Sequence, residues 1–277
     1  MTVVCMIANT QDEDRAAVTY AASLARRMDT SLEGICALPD ASSALIYATS
    51  PYMIGVGGAA IEGVEAAQTK LKADCGAMFN AVCELAGPSG GAAFTEQVEL
   101  PARAAVRAAT LSSAIVFPHL AGCGGHTLSE AVERVMMDAA LPVVLAPAEP
   151  IETSAALIAW DGSPQAARAV RTNADVLKAF SHIHIAQNSD DLGPQDANPA
   201  AQPKALADWL QARGLDSTIH RFSGSISKGL QEVAARTSAE LVVAGAYGSS
   251  RAGEMLFGGA TRGLLHAESA PALLLTH

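Results

Sequence analysis

The chain has 277 residues, of which 50% are apolar, 17% charged and 4% aromatic. That suits one large domain or two ordinary ones with full cores, and it excludes the disordered, collagen-like and disulfide-scaffold classes. Against 28 acidic residues stand 18 basic ones, a net charge of −10 with no Lys/Arg-rich run, which argues against a nucleic-acid or anionic-membrane surface.

No apolar stretch reaches the roughly 18 uninterrupted residues that span a bilayer. The opening residues, MTVVCMIANTQDED, lack a basic segment and run directly into acids, so no signal peptide is expected and the cytoplasm is the expected compartment. Thiols stay reduced there. All five cysteines, Cys5, Cys36, Cys75, Cys83 and Cys123, fall in the first half without C-x-x-C spacing, so neither a disulfide framework nor a thiolate metal motif is expected.

In chain order, residues 3–8 predict a strand, 13–28 a helix, 31–38 a strand, 57–85 a long helical segment and 93–99 a strand. A helix at 102–111, a strand at 114–117, a helix at 127–139 and a closing strand at 142–145 follow. Residues 155–160 (AALIAW) form the next short apolar run, ended by Asp161-Gly162-Ser163-Pro164, with Ser163 as N-cap and Pro164 at the first helical position. Helical spacing then covers 165–179 and strand alternation 182–187, and a loop rich in Asn, Asp, Pro and Gly extends to about Pro203. A helix around Trp209, a strand at 217–222, a helix at 225–237, a buried strand at 241–244 and a last strand at 272–276 complete the chain.

The same order of elements occurs twice, and Pro142-Val143-Val144-Leu145 matches Pro271-Ala272-Leu273-Leu274. Strands alternating with helices imply βαβ units on a parallel sheet with right-handed crossovers. The expected fold class is therefore α/β, with two tandem doubly wound five-stranded parallel-sheet domains at residues 1–148 and 152–277.

The segment from Gly245 to Arg262 carries the chemistry: it leaves a buried strand, is rich in glycine and leads into a helix. Glycines there let backbone approach a ligand closely, and free N–H groups at the following helix start favour an anion. Gly245, Gly248 and Gly258 have the spacing Gly, two residues, Gly, nine residues, Gly, which together with Asp161-Gly162-Ser163 resembles the universal stress protein family. The resemblance covers the whole second half, and the first half in element order only. Gly259 departs from it, because the family carries Ser or Thr after the third glycine; a hydroxyl occurs two places later, at Thr261.

The resemblance implies a Rossmann-like fold of the adenine nucleotide alpha hydrolase type, with the ligand where the strand order reverses. It implies an adenine nucleotide (ATP, ADP or AMP), with Mg²⁺ as companion left open, and a stress-response regulator rather than a catalyst. Asp161 would contact the adenine or its sugar, and the backbone of Ile185 would meet the base edge. Gly245 and Gly248 would face ribose and phosphate, while Gly258, Gly259 and Thr261 would hold the phosphate tail. Arg251 is read equally as a phosphate contact and as a solvated loop residue. A rival reading is a nucleotide-free interaction module acting through dimer or partner surfaces, which the missing hydroxyl at Gly259 favours.

In the first half, aligning Pro142 with Pro271 sets Val116 opposite Gly245, His119 opposite Gly248, Ser129 opposite Gly258 and Glu130 opposite Gly259, with Asn9 in the place of Asp161. No motif glycine survives, so a degenerate domain that does not bind nucleotide in the same way is expected, with Gly122, Gly124 and Gly125 as an off-register glycine cluster. His119, Cys123 and His126 are read as structural rather than as a metal site, since no fourth ligand accompanies them. His182 and His184 are read as a half-buried strand face, and the glycine-rich segment around Gly55–Gly58 as a loop covering the neighbouring domain. There is no G-x-S-x-G elbow, no Walker motif and no lysine in the glycine loop, so no catalytic residue is assigned and at most a slow ATPase is expected. The partners expected are the nucleotide and a protein not named by the sequence, with pairing of the two domains within the chain and a homodimer left open.

Overall fold

The computed structural model describes residues 2–48, 58–147, 149, 153–192, 202–246, 259–266 and 270–277. In the first half it has strands β1 (Thr2–Met6), β2 (Ser31–Leu38), β3 (Ala92–Val98), β4 (Ala114–Phe117) and β5 (Val143–Leu145), with helices α1 (Asp12–Arg27), α2 (Ala41–Ala48), α3 (Gly58–Ala86), α4 (Pro101–Ala109) and α5 (Ser129–Glu133). The second half has β6 (Ala155–Ala159), β7 (His182–Asn188), β8 (Ser217–Phe222), β9 (Leu241–Gly245) and β10 (Ala272–Thr276). Its helices are α6 (Pro164–Thr172), α7 (Ala174–Leu177), α8 (Pro203–Gln211), α9 (Ile226–Thr237) and α10 (Gly259–Leu265).

The ten strands form one sheet in the order β3-β2-β1-β4-β5-β10-β9-β6-β7-β8. Each half is thus a five-stranded unit in which the strand order reverses beside its first strand, and every pairing within a unit is parallel. The units join through their closing strands, which pair antiparallel at Leu273↔Leu145, Leu274↔Val144 and Leu275↔Val143. The two five-stranded units expected from the sequence are both present, and this seam makes their sheets continuous. An all-apolar closing strand left at an edge would expose unpaired backbone, and pairing the two edges removes that liability.

Successive residues of a strand face opposite sides, so a sheet covered on both faces needs continuous apolar runs. Val3 and Cys5 enter one core layer with α1, α3, α6 and α8, while Val4 and Met6 enter the other with α4, α5, α9 and α10. Leu241 and Val243 divide from Val242 and Ala244 in the same way. Among the described residues no helix is long and apolar enough to cross a membrane.

Local signals account for most boundaries. Proline stands at the start of α4, α6 and α8, where its missing N–H costs nothing. Ser163 caps α6 by accepting from Ala166 N, and Ser225 caps α9 by accepting from Lys228 N. The single helix expected over 165–179 is split at Asn173, whose buried side chain donates to Ala169 O (2.8 Å) and to Thr276 Oγ1 (3.0 Å), tying the break to the closing strand. The helix expected over 127–139 continues from α5 as a π-helical turn at Arg134–Asp138. The unexpected α2 begins where Asp40 Oδ1 accepts from Ser43 N (3.0 Å), an ordinary N-cap.

Among the described residues, side chains make polar contacts between the halves at His119 and at Arg27. His119 sets its ring nitrogens against Ala146 O (3.1 Å) and Leu265 O (2.7 Å). Arg27, at the end of α1, pairs with Glu240 at 2.6 Å and lies 4.7 Å from the ring centre of Phe180. Glu240 is fully buried, and its other oxygen accepts from Thr153 N (2.8 Å) and Ser154 N (2.9 Å) where the chain enters β6. Removing one member of a buried pair strands the other, at a cost of about 3–5 kcal/mol. Glu240→Gln is accordingly expected to lower the unfolding free energy by about 3 kcal/mol, read as a lower urea midpoint at unchanged slope; an unmoved midpoint would show that the pair adds nothing.

At the far edge of the second unit, His184 Nδ1 lies 3.0 Å from His220 Nε2 across β7 and β8. Burial, then the neighbouring rings, hold His184 below the ordinary histidine range; burial, then Arg236, does the same for His220. The unfolded chain then takes up protons below a pH of about 6.5 that the folded chain refuses, so stability is present above that pH and is lost as pH falls toward the folded values. Between pH 7.5 and 5.5 the thermal midpoint should drop, and His220→Gln should flatten the drop; an equal slope in the variant would rule the pair out as its source.

Candidate functional site

β6 and β9 lie side by side, paired at Ala156↔Leu241, Leu157↔Val242 and Ile158↔Val243, so their carboxyl ends flank the point where the strand order reverses. Helices leave the sheet there toward opposite faces, and the gap between them is the standard ligand crevice of an open α/β sheet. Asp161 stands one residue beyond Trp160, exposed at this rim. Its Oδ1 accepts from Ser163 N at 2.8 Å, a tight turn that Gly162 completes at φ +74° and that sets Ser163 as the cap of α6. The side chain of Asp161 is therefore held at the mouth by the same turn that starts the helix.

Gly245 ends β9 directly against that helix. A Cβ there would lie 2.8 Å from the carbonyl carbon of Gln165 and 2.9 Å from Ala166 N. The glycine is thus required by the close approach of α6, independently of any ligand. Ile185 is fully buried in the middle of β7, paired with Ile158 on one side and Ile219 on the other. Its backbone belongs to the sheet ladder, and the β7 residues nearest the carboxyl rim are Gln187 and Asn188. Asn188 donates to Gly224 O (3.1 Å) and Asp190 accepts from Gly224 N (2.8 Å), which locks together the turns after β7 and β8.

Gly248, Arg251 and Gly258 lie outside the described residues, as does the segment around Gly55–Gly58 up to residue 57. Gly259 and Thr261 belong to α10. That helix packs on α9 through Gly263, where a Cβ would meet Ser227 Oγ, and Gln231 donates to Gly263 O at 2.7 Å. The structure thus brings together Asp161 and Gly245, seats α10 on the opposite face from α6, and sets Ile185 inside the sheet. Beside Trp160, an apolar recess opens between α6 and α8, lined by Val170, Leu206 and Trp209 among others.

In the first half, the Ile7 N to Ile35 O bond (2.9 Å) is the counterpart of Trp160 N to Ala186 O (2.9 Å). Ala8 therefore corresponds to Asp161, with Asn9 one residue further on. Strand pairing likewise sets Pro118 opposite Gly245, two residues from the proline-based alignment. The motif glycine is absent in either register. Of the glycine cluster, Gly122 is a packing position, since a Cβ would meet Leu145 and Leu265, while Gly124 and Gly125 take φ of +82° and +74° in the turn that follows. His119 is occupied by two carbonyls, whereas His126 faces Glu13 and Asp14, a grouping with no counterpart in linear spacing.

Residues 154–275 match the sequence profile of the universal stress protein family. No curated protein matches the chain. Among solved structures, a universal stress protein from Archaeoglobus fulgidus DSM 4304 is 14% identical and superposes with a TM-score of 0.64 over 99% of this chain and 97% of that one. A putative universal stress protein from Pseudomonas aeruginosa UCBPP-PA14, also 14% identical, gives a TM-score of 0.55 over 99% and 92%. At those identities the likeness is one of fold, and it extends the architecture of the matched half over both. Residues 154–275 thus carry a universal stress protein domain, and the first half repeats its fold, which gives the chain a tandem, two-unit form.

Proposed function

We propose that residues 152–277 form a nucleotide-binding domain and residues 1–148 a partner domain that does not bind nucleotide in the same way. The ligand of the second domain is an adenine nucleotide, ATP, ADP or AMP. The observation that carries this reading is the adjacency of β6 and β9 at the strand reversal, with Asp161 at one wall of the crevice and Gly245, the end of β9, at the other. Asp161 would accept from adenine or ribose hydroxyls, Gly248 would let backbone approach the sugar and phosphate, and Gly258, Gly259 and Thr261 would hold the phosphate tail with Arg251 as an added charge. Occupancy would alter the surface around this crevice that a protein partner reads in the cytoplasm, which would make the chain a ligand-dependent regulator.

Two observations favour the alternative of a nucleotide-free interaction module. Gly259 removes a hydroxyl from the phosphate end, and Gly245 has a packing reason of its own. Calorimetric titration of the full chain with ATP, ADP and AMP, with and without Mg²⁺, separates the two readings. One nucleotide per chain with a sub-millimolar Kd is expected, and no heat at that concentration would leave the interaction module. Asp161→Ala and Gly248→Val should each weaken binding at least about tenfold, the loss of one or two good polar contacts. Phosphate release is expected to stay at background.

A further inference from the structure

The first half has its own strand-reversal crevice, between the ends of β1 and β4, and its chemistry differs. Glu13 and Asp14, consecutive at the start of α1, and His126, in the loop before α5, each bring a ligand atom to within 4.8 Å of the others. Asp14 is completely buried, and the side chains of Glu13 and His126 are 15% and 10% exposed. Asp14 Oδ1 is committed to Ala8 N (2.7 Å) and Asn9 N (3.2 Å), which fixes the carboxylate at the end of β1. Its Oδ2 has no hydrogen-bond partner, and neither have Glu13 Oε2 and His126 Nε2, although all three are closed off from solvent. The nearest approach of the ring to Glu13, 3.5 Å from Nε2 to Oε1, is too long for a strong hydrogen bond.

Two buried carboxylates side by side repel one another and have lost their hydration, so they call for a positive charge between them. We propose that Glu13, Asp14 and His126 form a divalent transition-metal site of the Zn²⁺ or Mn²⁺ class, with water in the remaining positions. Metal bonds of about 2.0–2.2 Å to carboxylate oxygen and imidazole nitrogen set neighbouring ligand atoms roughly 3–4 Å apart, a small contraction from the spacing present. A doubly charged ion neutralises the two carboxylates, and the imidazole selects a transition metal over Mg²⁺ or Ca²⁺, which take oxygen ligands.

The ring must change tautomer. Leu128 N donates to His126 Nδ1 at 3.1 Å, so without an ion the proton of the neutral ring sits on Nε2 and faces the carboxylates. Coordination through Nε2 transfers that proton to Nδ1 and gives up the Leu128 bond, leaving a metal–nitrogen bond in exchange for one neutral hydrogen bond. Leu128 precedes α5 in a non-helical conformation (φ −95°, ψ 4°), so its amide turns away without unwinding the helix. Cys123 is nearby but is not among the three converging groups.

The test uses full-length, tag-free protein stripped with a chelator and titrated with Zn²⁺, Mn²⁺ or Mg²⁺ in the absence of nucleotide, so that failure of the nucleotide reading leaves it intact. One Zn²⁺ per chain is expected, with Mg²⁺ at least about tenfold weaker. His126→Ala and Glu13→Gln should each weaken Zn²⁺ binding by at least about tenfold, and Cys123→Ser should leave it within about threefold. The Leu128 amide resonance should move on adding Zn²⁺. Asp14→Asn also removes support from the end of β1, so circular dichroism checks its fold and the other two variants carry the result. Less than one ion in ten chains, affinity unchanged in both His126→Ala and Glu13→Gln, Mg²⁺ binding as tightly as Zn²⁺, or loss of binding in Cys123→Ser would each overturn the site.

Discussion

The antiparallel pairing of β5 with β10 is the constraint on which the rest of the molecule depends. Every other pairing in the sheet is parallel, so the strands of the two units run in opposite senses on either side of this seam. A parallel unit of this size has two edges, and the apolar one made by its closing strand cannot stay in water. Joining the two closing strands buries both and brings the turn after β4 against the end of α10, where His119 meets Leu265 O. The Arg27–Glu240 pair belongs to the same interface, and Glu240 in turn holds the chain as it enters β6. The units are therefore coupled by backbone pairing, by a continuous core layer on each face and by the polar contacts of His119 and Arg27.

Because strand sense reverses at the seam, the two strand-reversal crevices open toward different rims of the sheet. That separation frees them to carry different chemistry on one architecture. The second has an exposed carboxylate at its mouth and a glycine-rich sequence after β9. The first has its carboxylates inside, Asp14 fully buried and Glu13 nearly so, with an imidazole facing them.

The element order, the twofold repeat and the Ser163 cap were legible in the sequence because each rests on local patterning: apolar runs for strands buried on both faces, and proline or serine at helix starts. What local patterning does not carry is contact between distant residues. Asn173 breaks a helix because Thr276 lies 103 positions later in the chain but within hydrogen-bond reach. The resemblance gives the backbone of Ile185 a base-edge contact, yet the ladder of β7 extends past it, by three residues on the β8 side and one on the β6 side. Glu13 and His126 meet only because α1 and the loop before α5 converge at one crevice, and neither spacing nor composition signals that. The one overlooked local signal is Asp40, whose position three residues before Ser43 marks the start of α2.

Gly245 shows how a motif residue can serve two ends at once. Its missing side chain lets the first turn of α6 sit against β9, and that contact aims the Asp161 turn at the crevice. A ligand-binding role for the same glycine would use the backbone on its other side. Any side chain at 245 would push α6 away and displace Asp161, so lost binding in such a variant would not separate the two roles. In the proposed nucleotide site, the test of a ligand-specific role therefore falls to Gly248 and Gly258, which follow Gly245 in the sequence, and to the rim carboxylate of Asp161. Gly245 thus meets a packing requirement of its own, and the first unit has Pro118 in place of that glycine.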